Sequence, residues 1–327
     1  MNVLGVETSC DDTSLALVRD GRLVGCLTSS QTVTHQRFGG VVPEVASREH
    51  LKEIIPLYHR LLSETGVLTS DLDLIGATFG PGLSGSLLVG AQFASGLSAH
   101  LGCPCLPVNH LEGHVFSVFL DGSPLPAYPW LILLVSGGHT ALILALGPHS
   151  YRMLGETIDD SVGECFDKVA RFLSLDYPGG PQIEQKAEGG AVLYQFPQSF
   201  LKEKDYRFSY SGLKTAVCSF TERNSFRLND ICCSFQTAAI NPLLVKIKQA
   251  LTEFSAKVLL IAGGVSANNF LRSGCLKIGE KHGIQVLMPE RKWAMDNAGM
   301  IALAAYHIHK SGKGLQRRSI DPGWTLC

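Results

Sequence analysis

Apolar residues in this chain gather into short runs separated by small-residue and glycine-rich turns, and one such arrangement occurs twice. Val3 to Glu7 reads as a strand, Thr8 to Thr13 as a polar turn and Ser14 to Val18 as a second strand. Leu131 to Val135, the turn Ser136-Gly137-Gly138-His139-Thr140 and Ala141 to Leu146 repeat the pattern. Two such units predict two similar lobes, each opening with a hairpin whose tip faces a shared cleft. Tips of this kind offer N–H groups and hydroxyls to phosphate, although Gly, Ser and Asp also serve turns for conformational reasons alone.

Helices and strands alternate between and beyond the hairpins, which is the pattern of an α/β fold. A helical period opens at Pro43 and runs through Leu51, Ile54, Ile55, Tyr58, Leu61 and Leu62 to Gly66, and Leu72 to Thr78 reads as a strand. The Gly80 to Ser86 turn leads into a small-residue helix through Ala99; it could receive an anion but lacks the Lys-Ser/Thr of a P-loop. From Gly155 to Pro181 acids accumulate, and Asp160, Glu164 and Asp167 fall on one helix face. That face is either solvated or a carboxylate wall for sugar hydroxyls. Val258 to Ala262 is a strand opening into Gly263-Gly264-Val265-Ser266-Ala267-Asn268-Asn269, which suits a nucleotide or a capped strand-to-helix loop. The last helix begins near Asp296-Asn297 and shows Ala298, Ile301, Ala302, Ala305 and Ile308 on its apolar face.

Composition narrows the partners. The 327 residues are 45% hydrophobic and 17% charged, enough for two domains with their own cores. A net charge of -1 supplies no global field for polyanions, so a nucleic acid would need a local basic patch or another subunit. Such a patch is offered by Lys202, Lys204, Arg207, Lys214, Arg223 and Arg227, with Tyr206, Phe208 and Tyr210 interleaved, and next by Arg317 and Arg318. Ten cysteines without a repeating framework read as reduced thiols of a cytoplasmic protein. Glu7, Asp11 and Asp12 interrupt any secretory signal, and glycines and prolines break the uncharged stretch from Leu74 to Leu111, so neither export nor a membrane is expected.

The sharpest chemistry lies in Asn109-His110-Leu111-Glu112-Gly113-His114. On a helix this spacing puts His110 and His114 on one face, where they can share a cation, although surface or core histidines also fall at this spacing. A zinc-peptidase helix would place its Glu directly after the first His, where this chain has Leu111. A third ligand is needed, and Asp296 is either that ligand or only a helix cap.

Seven motifs occur in order across nearly the whole chain: Glu7-Thr8-Ser9-Cys10-Asp11-Asp12-Thr13, the histidine run, Ser136 to Thr140, Asp176-Tyr177-Pro178-Gly179-Gly180-Pro181, Ser211-Gly212-Leu213-Lys214-Thr215, Gly263 to Asn268, and Asp296-Asn297. Together they resemble the bacterial tRNA N6-adenosine threonylcarbamoyltransferase family. The resemblance implies a two-lobed actin-like, Hsp70-like α/β fold, a duplicated ribonuclease H-like unit with a central cleft. It implies transfer of a threonylcarbamoyl group from threonylcarbamoyl-AMP to N6 of adenosine 37 in tRNAs reading codons that begin with A. It further implies one metal on His110, His114 and Asp296, usually assigned as Fe2+, with Zn2+ as the alternative. Leu134, Val135, Ser136, Gly137, Gly138, Asp167, Gly180 and Asn268 would bind the adenylate, with Glu184 in the region where many relatives carry an Asp. Implied partners are tRNA, a smaller actin-like paralogue and a P-loop ATPase.

Acyl transfer to an exocyclic amine needs position and charge stabilisation rather than an activated Ser or Cys. Asp11 is the candidate for assisting amine deprotonation, or is a turn carboxylate. An ATP-dependent small-molecule kinase of the same fold, or a non-catalytic scaffold, is the alternative. Holding one metal with Asp296 requires the last helix to return to the first lobe, so lobe I is expected at 1–108 with 293–327 and lobe II at 109–292.

Overall fold

Two five-stranded sheets carry the chain, and both are built in the same order. The first joins β1 (Asn2–Glu7), β2 (Asp12–Arg19), β3 (Arg22–Ser30), β4 (Leu74–Gly80) and β5 (Cys105–Asn109) as β3-β2-β1-β4-β5. The second joins β6 (Trp130–Val135), β7 (Thr140–Gly147), β8 (Ser150–Glu156), β9 (Val258–Ala262) and β10 (Gln285–Leu287) as β10-β9-β6-β7-β8. In each, three antiparallel strands are followed by two that run parallel to the first. This is a two-lobed α/β fold of the actin and Hsp70 type, with its ribonuclease H-like unit duplicated. The third strands, β3 and β8, alternate exposed and half-buried residues at a sheet edge, and carry no continuous apolar run.

The computed structural model describes residues 1–38, 40–312 and 319–327, so Arg317 and Arg318 lie outside the described residues. It divides into one compact unit of Met1–Leu125 with Met295–Cys327 and a second of Pro126–Ala294. The first unit therefore runs past residue 108. The reason is α4 (His110–Ser117), which packs so closely on α10 (Ala298–Ser311) that a Cβ on Gly113 would meet Ile301 Cδ1 at 2.6 Å.

In the first unit, α1 (Thr32–Gln36) is short, while α2 (Pro43–Thr65) and α3 (Ser84–Leu101) cover one sheet face. There Leu4, Val6, Leu15, Leu17, Ile75 and Ala77 pack with Ile54, Leu61, Ala91 and Ala94. Leu51 and Ile55, expected on the buried stripe of α2, are exposed instead; Leu57 takes the inward position. On the opposite face small residues bring α10 down onto the strands, because a Cβ on Gly5 would meet Ala298 O at 2.3 Å and one on Gly76 would meet Ala305 Cβ at 2.4 Å.

In the second unit every residue of β6 is buried, and Leu131, Leu133 and Val135 on one of its faces pack in a core with α5 (Val162–Phe172), α6 (Gly179–Ala187), α7 (Ser211–Arg223), α8 (Leu228–Glu253) and α9 (Asn269–His282). All ten cysteines are free thiols. Among the described residues no helix is long and apolar enough to cross a membrane.

Candidate metal centre and nucleotide loops

The metal-binding geometry begins where β5 ends. Asn109 caps α4, its Oδ1 accepting from Leu111 N at 2.9 Å, so His110 and His114 occupy the first and second turns of a buried helix. At α10 the cap is Asn297, which accepts from Met300 N at 3.0 Å; Asp296 is therefore not the cap and faces the histidines. Its Oδ1 lies 3.6 Å from His110 Nε2 and 3.2 Å from His114 Nε2. One ligand atom from each residue falls within 4.8 Å of the other two.

Buried neighbours aim the first histidine. His110 Nδ1 lies 3.0 Å from Glu7 Oε2 and 3.2 Å from Ser9 Oγ, which leaves Nε2 as the coordinating nitrogen. Glu7 is itself held by Ser9 N and Thr78 Oγ1, each donating at 2.5 Å. Burial opposes charge on both partners, but the carboxylates of Glu7 and Asp296 outweigh it and raise His110 to about 9, while His110 holds Glu7 below the usual carboxylate range.

The cluster fits a cation on its own chemistry. Both ring nitrogens of His114 are buried without a hydrogen bond, although Nε2 approaches Asp296. A buried polar atom without a hydrogen bond costs about 1–3 kcal/mol, and a metal held with Asp296 would give Nε2 its partner. Two histidines and one carboxylate leave coordination positions open.

The candidate nucleotide residues form a connected neighbourhood in the second unit. Leu134 and Val135 end β6, and the Ser136–Gly138 turn lies beside the exit from β9, with which β6 pairs in parallel. A Cβ on Gly263, at φ +87°, would meet Val135 O at 2.4 Å. Ser161 Oγ donates to Gly137 O at 2.6 Å, and Gly163 approaches Ser136 O so closely that a Cβ would meet it at 2.5 Å. A Cβ on Gly137, Gly138 or Gly180 would meet nothing, so these positions leave room beside the backbone.

Three polar candidates already hold protein groups. Asp167 Oδ1 accepts from Gly179 N at 2.8 Å and fixes the start of α6; burial raises its carboxyl despite hydrogen bonds from Gly179 and Gly180. Glu184 accepts from Asn269 N at 2.6 Å. Asn268 caps α9 through Leu271 N at 3.0 Å and donates to Gln236 Oε1 at 2.8 Å.

A family profile for tRNA N6-adenosine threonylcarbamoyltransferase (TsaD) matches residues 22–303. The chain belongs to this family. The threonylcarbamoyltransferase of Carboxydothermus hydrogenoformans is 47% identical over 313 residues, 95% of this chain and 93% of that protein. That of Thermosipho africanus is 43% identical over 316 residues, 95% of this chain and 96% of its own. At the level of fold, the chain is similar to full-length HypF in its phosphate- and nucleotide-bound form, with TM-score 0.64 and 13% identity over 96% of this chain and 47% of that one. It is also similar to ROK hexokinase from Thermus thermophilus, with TM-score 0.53 and 14% identity over 95% of this chain and 100% of that one.

Several sequence expectations for this threonylcarbamoyltransferase-family chain change with the structure. Tyr206, Phe208 and Tyr210 are buried and so stack on no base, Arg207 pairs with Asp205 at 2.7 Å, and Lys214 pairs with Asp160 at 2.6 Å. Asp160 precedes α5 and binds Lys168 and Lys214, so it shares no helix face with Glu164 and Asp167. The Gly80–Ser86 turn is filled by the protein itself, with Gly82 N donating to Pro322 O and Leu83 N to Ser9 O. Asp11 lies in the β1–β2 turn, where its carbonyl accepts from Gln31 N at 3.1 Å. Glu7 is the site residue that the sequence left without a role; it opens the first family motif, and its local signal is an acid closing an otherwise apolar strand.

Proposed function

We propose that this chain transfers the threonylcarbamoyl group of threonylcarbamoyl-AMP to N6 of adenosine 37 in tRNAs reading codons that begin with A. The observation that carries this reading is the His110–His114–Asp296 cluster, its two histidines buried and braced by Glu7, in a chain of the threonylcarbamoyltransferase family. His110, His114 and Asp296 would hold the metal, which would supply positive charge to offset negative charge developing during acyl transfer. Fe2+ is the preferred ion because it is the family's usual assignment; two histidines and a carboxylate suit Zn2+ as well, and Zn2+ is the alternative.

The second unit holds the leaving adenylate. Ser136–Gly138 faces its phosphate, with room at Gly137 and Gly138, while Asp167, Gly180 and Asn268 border the nucleoside and Glu184 supports Asn269. Asp11 assists removal of the amine proton. The chemistry calls for no thiol nucleophile, and burial, then the neighbouring Asp11 and Asp296 charges, raise the Cys10 thiol above its ordinary range. Partners are tRNA, a smaller actin-like paralogue and a P-loop ATPase, and the setting is cytoplasmic.

The test combines metal-loaded protein, the partner proteins, synthetic threonylcarbamoyl-AMP and an unmodified tRNA transcript. Modified adenosine should form with the intact chain and fail to form with His114→Ala at equal folded concentration. Equal product from His114→Ala, or none from the intact assembly, overturns the reading.

A further inference from the structure

The last residues of the chain lie against the start of the metal helix. Asp321 N donates to Phe79 O at 2.7 Å, Gly82 N donates to Pro322 O at 3.2 Å, and the Trp324 ring packs on the core of the first unit. The segment passes so near the end of β4 that only glycine fits at position 80, where a Cβ would fall 1.9 Å from Asp321 O. Asn109 then joins this strap to the histidine helix. Its Oδ1 caps α4 through Leu111 N, while its Nδ2 donates to Trp324 O and Thr325 O, both at 3.3 Å.

We propose that Asn109 and the C-terminal strap 321–327 act together as a positioning device for the metal site, holding the first turn of α4 so that His110 and His114 stay aimed at Asp296. The inference rests on the reading that this cluster takes a metal. The physical argument is geometric. Asn109 is directly bonded to His110 and 2% exposed, so its side-chain amide is held at both ends, by Leu111 N and by the strap carbonyls. A cap held only by its own helix leaves the first turn free to fray, and the first ligand sits in that turn. Linkage makes the effect reciprocal: metal binding must hold the strap as firmly as the strap holds the ligands.

Two variants separate this role from general stability. Asn109→Ser keeps a good helix cap but is too short to reach the strap, and a chain ending at Ile320 removes the strap while leaving the cap. Zn2+ affinity, measured by competition with a chromophoric chelator, should fall about three- to tenfold in each, the size expected for one or two buried hydrogen bonds. The combined variant should bind no more weakly than the weaker single one, since both remove the same link. In the intact chain Zn2+ should slow hydrogen exchange in the 320–327 peptide. Unchanged affinity in folded Asn109→Ser, losses that simply add, or exchange indifferent to Zn2+ would overturn the strap while leaving the metal reading standing. Failure of the intact chain to bind either Zn2+ or Fe2+ would overturn both.

Discussion

Glu7 Oε2 lies 3.0 Å from His110 Nδ1 inside the first unit, joining the end of β1 to the first turn of α4. The pair turns a helix-borne histidine into an oriented ligand, since a carboxylate on one ring nitrogen fixes the tautomer and raises the basicity of the other. Glu7→Gln retains an acceptor of the same shape without the charge. Metal affinity should drop about 10- to 100-fold, read by chelator competition. Affinity equal to that of the parent would reduce Glu7 to a packing role.

Close approach of α4 and α10 is set by Gly113, where a Cβ would press on Ile301 and Met300. Gly113→Ala removes a helix-interior glycine, a gain of about 0.5–1 kcal/mol, and presses only on the flexible ends of Ile301 and Met300. The bulkier Gly113→Val should push the helices carrying His114 and Asp296 apart, cost about 1–3 kcal/mol in denaturant unfolding and weaken metal binding. If stability falls while metal affinity holds, the ligands adapt to helix spacing and the packing argument for the site fails.

Asp160 links Lys168 and Lys214 at 2.9 and 2.6 Å. Burial alone would raise its carboxyl, but the hydrogen bonds and charges of Lys214 and Lys168 outweigh it, and the group is held below the usual carboxylate range. A depressed folded-state value contributes stability that is present above the unfolded value, about pH 4, and lost as pH falls through the folded value. Asp160→Asn should thus destabilise the protein at pH 7, and the gap between variant and parent should close below about pH 4. A gap independent of pH would assign the loss to packing.

Asp167 has two expected roles, one of which is visible as its bond to Gly179 N. Asp167→Ala should lower stability by about 1 kcal/mol through the lost cap. Under the adenylate reading it should also weaken threonylcarbamoyl-AMP binding about ten- to hundredfold, one charge-assisted hydrogen bond, in a calorimetric titration. Lower stability with unchanged affinity would leave Asp167 as a helix cap alone.

Local pattern determined a good deal by itself. The doubled hairpin, the helix from Pro43 to Gly66 and the one-face spacing of His110 and His114 follow from backbone periodicity and turn chemistry, which act over a few residues and are written in consecutive positions. The ordered motifs carried the family. Tertiary structure decided the rest, because burial and pairing depend on what a distant segment brings alongside. The aromatic residues beside Arg207 and Lys214 had the composition of a nucleic-acid surface, yet Tyr206, Phe208 and Tyr210 are core and the two cations are neutralised by Asp205 and Asp160. Asp296 could have been a cap or a ligand until Asn297 was seen to cap α10. The support of His110 by Glu7 and of Asn109 by Trp324 spans 103 and 215 residues, and no local propensity records a hydrogen bond of that range. Only packing on β1, β4 and α10, through Gly5, Gly76 and Gly113, brings those groups within bonding distance.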